Sequence, residues 1–80
     1  MHTIILRQMA AGQRGTIAKV TAVGELGRRI RDMGLVPGAT IQVQGRAPLK
    51  DPVAIRVRDF TLTLRNNEAD YIHVAVDETT

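Results

Sequence analysis

The side chains able to carry acid–base or metal chemistry are few and scattered: His2, His73, Glu25, Asp32, Asp51, Asp59, Glu68 and Asp70, with Asp77 and Glu78 near the carboxy terminus. Neither histidine stands in an HxxxH or ExxH motif, the spacings that put two ligands on one face, so both read as surface histidines. The chain has no cysteine, which removes disulfides, thiolate zinc sites and cysteine nucleophiles together. It also has no serine, so a Ser-His-Asp triad is absent. No GxGxxG or GxxxxGK[ST] loop is present to cradle phosphate. Asp51 and Asp59 bracket a hairpin, where turn chemistry accounts for them. These residues imply no catalytic group, no cofactor and no metal ligand set, and point to a binding module.

What remains is charge. Nine arginines and two lysines against eight acids leave a net charge of +3. The acids are interspersed, and no block of like charges marks a nucleic-acid tail. A small basic nucleic-acid-binding barrel is nonetheless the alternative reading, with Arg28, Arg29 and Arg31 on a helix and Arg56 and Arg58 on a strand. Two features weigh against it. Glu25–Arg29 and Arg28–Asp32 are spaced as i, i+4 ion pairs. Phe60 and Tyr71 are the only aromatics, too few to stack single-stranded bases or line a groove for proline-rich peptides.

The elements that would position these groups follow from hydrophobic spacing. Thr3–Leu6 reads as a short strand, and Gly12 and Gly15 mark a turn. Gly15–Val23 reads as a strand in which Ile17 and Val20 are buried; their spacing of three predicts a bulge. In Gly24–Gly34, Leu26, Ile30 and Met33 recur on one helical face, to dock beside Val43, Ile55 and Leu62. Gly34 stops the helix and Leu35 folds back on it. Gly27 inside the helix suggests that another backbone passes close by. Val36–Ala39, with Pro37 and Gly38, has the form of a type II turn.

Beyond it, Ile41 and Val43 alternate with Gln42 and Gln44, then Val53, Ile55 and Val57 with Ala54, Arg56 and Arg58. Phe60, Leu62 and Leu64 alternate with Thr61, Thr63 and Arg65 after a tight turn. Asn66–Ala69 suits one helical turn, and Tyr71–Val76 a closing strand. The pattern predicts a mainly β fold, a small barrel of five to six strands with one inserted α-helix, over residues 1–76, with 77–80 as a tail. The longest early apolar run, Ile4–Leu6, is too short for a signal peptide or a membrane span. A soluble, cytoplasmic domain is the expectation.

A set of residues spread along the chain carries a specific resemblance. It comprises Gly12, Gly15, Ile17, Arg29-Ile-Arg-Asp-Met-Gly-Leu35, Pro37-Gly38, Ala47-Pro-Leu49, Asp51-Pro52, Ile55, Val57, Leu62, Leu64-Arg65, Glu68-Ala69 and Val74. In these residues the chain resembles the FeoA family, small cytoplasmic accessory proteins of bacterial ferrous iron transport. The resemblance implies an SH3-like barrel with an inserted helix. It implies as partner the FeoB-type membrane GTPase-permease, engaged through its cytoplasmic G domain at the inner face of the membrane. The family is associated with transition metals, although no ligand set here supports direct iron binding. Two positions depart from the family pattern: Lys50 and Asp59 stand where glycine is usual. Asp59 can enter positive φ at modest cost, so the turn should survive.

The expected partner-binding residues are Pro48, Leu49, Lys50, Asp51 and Pro52, with Arg28 and Arg31 steering toward an acidic face. Prolines at both ends stiffen the loop, so it can present Leu49 with little ordering entropy lost on association. The competing possibility is that Leu49 folds inward as a core plug.

Overall fold

The structure, a computed structural model, describes residues 2–49 and 51–76. Six strands form one antiparallel sheet: β1 (His2–Ile5), β2 (Arg14–Val20), β3 (Thr40–Arg46), β4 (Val53–Val57), β5 (Phe60–Leu64) and β6 (Ile72–Val76). Their order is β1-β6-β2-β3-β4-β5, so β1 and β5 are edges and the sheet does not close on itself. Two α-helices, α1 (Gly24–Asp32) and the one-turn α2 (Asn66–Ala69), and a 3-10 turn at Leu6–Gln8 complete it.

The alternation read in the sequence is the alternation buried. Ile41, Val43, Val53, Ile55, Val57, Leu64, Ile72, Val74 and Val76 all point inward and are almost wholly buried. The bulge in β2 is present: pairing with β6 shifts register between Ile17 and Lys19. It leaves Ile17 buried and Val20 partly so. A second shift lies in β3 between Val43 and Gly45. The departure is Phe60, 46% exposed at the start of β5 next to the β4–β5 turn, while Leu64 at the other end of the same strand is buried.

Helix α1 sets Ile30 fully into the core, with Leu26 and Met33 partly buried and packed against the core cluster. It ends in a Schellman motif. Gly34 takes φ +90°, its N–H donates to the Arg31 carbonyl, and the Leu35 N–H donates to Ile30. Leu35 is fully buried there. The close backbone expected at Gly27 is the Ala22 carbonyl, into whose oxygen any Cβ at that position would run. In the β4–β5 turn the left-handed residue is Arg58 (φ 54°), not Asp59. The Val36–Ala39 turn closes through the Ala39 N–H and the Val36 carbonyl at 3.0 Å.

Candidate functional site

The loop between β3 and β4 is fastened at its stem and free at its tip. The Ala47 N–H donates to the Pro52 carbonyl at 3.1 Å, and the Asp51–Pro52 peptide is cis. Asp51 reaches across to α2, where its Oδ1 accepts the Asn66 N–H at 2.9 Å. Satisfying an otherwise orphaned donor at a helix start ties the loop to that helix. Leu49 at the tip is 90% exposed, which overturns the core-plug possibility. Pro48, Asp51 and Pro52 are exposed as well. Lys50, the remaining residue expected there, lies outside the described residues, as do 77–80.

Beside the loop lies a hollow of about 400 Å³ whose lining includes Gln44, Gly45, Arg46, Ala47, Pro52 and Ala54. Its lining is largely apolar. Ala47 and Pro52, the two ends of the loop that carries Leu49, contribute to it.

The stem is braced by residues that sequence spacing does not single out. Arg46, the last residue of β3, donates through Nη2 to the carbonyl oxygens of Leu6 (3.4 Å), Arg7 and Met9 (2.9 Å). Its Nη1 donates to Asn66 Oδ1 at 3.3 Å. One guanidinium therefore joins β3, the 3-10 turn and α2. Glu68 in α2 is 7% exposed. Its Oε1 accepts the Arg65 N–H at 3.0 Å, half of a capping box, while Oε2 forms an ion pair with Arg29 of α1. Glu68 thus takes Arg29 away from Glu25. The signal available in the sequence was the N3 position of Glu68 after Arg65; its long-range partner had none.

Arg28 and Arg31 are exposed on α1, and neither of the i, i+4 pairs expected on that helix forms. No described hydrogen bond or ion pair joins them to the loop. The connection from α1 to the loop runs through α2, by Arg29–Glu68 on one side and Asn66–Asp51 on the other. Among the described residues no three His, Asp or Glu side chains gather at ligand distances. No helix of the structure is long and apolar enough to cross a membrane. The arrangement presents an exposed apolar side chain on a braced loop.

Residues 4–76 match the family model of the FeoA domain. Over 69 residues, 86% of this chain, the sequence is 39% identical to an Fe(2+) transport protein A/Fe(2+) transporter FeoB fusion protein of Porphyromonas gingivalis, and it spans 8% of that protein's length. An FeoA-like protein from Clostridium acetobutylicum superposes with a TM-score of 0.87 at 34% identity, covering 95% of this chain and 88% of that one. Zinc-complexed FeoA from Stenotrophomonas maltophilia, described as a prokaryotic SH3 domain protein, superposes with a TM-score of 0.77. At 22% identity, covering 95% of this chain and 92% of that one, it speaks for the fold alone. The six-stranded sheet, the inserted α1 and the bracketed loop after β3 are therefore the SH3-like architecture, and the chain belongs to the FeoA domain family.

Proposed function

We propose that the chain is a non-enzymatic adaptor of bacterial ferrous iron uptake that docks on the cytoplasmic G domain of a FeoB-type transporter. The observation that carries this reading is Leu49: a large apolar side chain, 90% exposed, at the tip of a loop whose stem is hydrogen-bonded on both sides. A lone exposed leucine is unremarkable on most surfaces. One held out on a braced loop beside an apolar hollow has the form of an interface anchor with a polar rim. Because the stem is already ordered, little conformational entropy is lost when it engages. The Porphyromonas relative, in which the two transport components are one polypeptide, supports the choice of partner. In this role the domain needs no cofactor, and ferrous iron is the transporter's cargo.

Titration calorimetry of the domain against the isolated transporter G domain tests the proposal. Leu49→Glu should abolish binding while moving the thermal midpoint by less than about 2 °C, the scale of an exposed substitution. Unchanged binding by a folded Leu49→Glu variant would place the interface elsewhere.

A further inference from the structure

We propose that the outer face of β2, β3 and β4 carries an anion-binding hollow that receives a carboxylate-rich segment of a partner protein. The inference is independent of the docking role of Leu49 and concerns different residues. Register creates the site. Arg14 stands opposite Gln42, and Gln42 opposite Arg56, so the three form one row across neighbouring strands. With strands about 4.8 Å apart, the two arginines of the row are separated by about 10 Å, a span their side chains can close from either side. Arg58, two residues beyond Arg56, adds a third guanidinium. Together with Thr40 and Gln42 these arginines line a hollow of about 220 Å³. Gln42 is held in place by donating to the Gly12 carbonyl at 3.3 Å.

No described carboxylate pairs with Arg14, Arg56 or Arg58, whereas Arg7 and Arg29 pair with Asp70 and Glu68. Asp59, next to Arg58, is exposed and bonded to none of them. Three like charges brought together repel one another, and a ligand of opposite charge would relieve that repulsion. Guanidinium forks match carboxylates bidentately. Three forks spread across two strand spacings suit several carboxylates in a row better than one compact phosphate. A phosphate cradle also uses free backbone N–H groups at a helix start or nest, and a sheet ladder provides none. The lining holds no aromatic on which a nucleotide base could stack.

The test is fluorescence anisotropy of a labelled hexaglutamate peptide at about 20 mM and about 150 mM salt, the range over which screening becomes strong. Wild type should bind at low salt and weaken steeply at the higher. The Arg14→Gln, Arg56→Gln, Arg58→Gln triple variant should lose about tenfold in affinity as solvated charge-assisted contacts are removed. Lys19→Gln with Arg65→Gln, exposed cations away from the hollow and the control for lost charge, should retain most of it. If the triple variant fails to fold, the three single variants are measured instead, and each should bind more weakly than wild type. Absence of peptide binding at low salt, or an equal loss in the control, would overturn the proposal. So would displacement of the peptide by inorganic phosphate or a ten-residue oligothymidylate at lower concentration than unlabelled hexaglutamate.

Discussion

Two sets of arginines divide this molecule. Arg46, Arg29 and Arg7 are engaged within the chain, the last two from exposed positions: they bind three backbone carbonyls, a buried glutamate and an aspartate. Arg14, Arg56 and Arg58 lie on the outer sheet face with no described partner. The residue type is the same, and the difference is what each guanidinium meets across the fold. In an 80-residue domain with no disulfide, the first set takes over part of the stapling that small domains otherwise obtain from covalent links. The second set has no described partner and is available to an anionic one. A basic composition therefore says little by itself; the partner of each charge decides whether it stabilises or recruits.

The comparison can be broken at several points. The core sets the scale: Ile30→Ala should cost about 2–4 kcal/mol in urea denaturation, because a fully buried side chain leaves a cavity. A loss below about 0.5 kcal/mol would mean that α1 is not packed on the sheet. Arg46→Ala should come next, at about 2–3 kcal/mol, since the carbonyls of Leu6, Arg7 and Met9 lose a charged donor in partly buried surroundings. Glu68→Gln keeps the shape but removes the charge facing Arg29, and should cost about 1–2 kcal/mol. Measuring it together with Arg29→Gln in a double-mutant cycle isolates the pair; a coupling near zero would dissolve the distinction drawn here. Arg56→Gln lies at the other end, with stability unchanged or raised by a few tenths of a kcal/mol as like-charge repulsion is relieved. A clear destabilisation would show that the outer arginines hold the fold as the inner ones do.

The parts legible in the sequence are those governed by local periodicity. Val53, Ile55 and Val57 alternate into the core, Ile30 lies on the apolar stripe of its helix, and the three-residue gap from Ile17 to Val20 marks the bulge. Gly34 and Gly27 were readable because each answers a backbone requirement within a few residues. Arg46 and Glu68 were not readable. Their partners come from segments brought near only by the sheet order, and helix spacing offered Arg29 a nearer acid in Glu25. Leu49 was readable as a loop residue between prolines, but its direction was not, because an apolar side chain on a tight connection can turn either way. Arg58 and Phe60 diverged for reasons outside local pattern: a turn that puts the left-handed residue first, and a strand whose first side chain, next to that turn, stays partly uncovered.

The pairing of β1 with β6 has a mechanical consequence. His2, which begins β1, is the register partner of Val76, which ends β6, so the two described ends of the chain leave the sheet at the same end of one strand pair. Tension applied between them does not shear that ladder, which would load all its hydrogen bonds at once. It peels the ladder from the open end, one rung after another, at low force. The β1–β6 seam would part while the cluster around Ile55 and Val43 stayed closed, so a neighbouring polypeptide pulling on both ends would meet a soft hinge in front of a hard core.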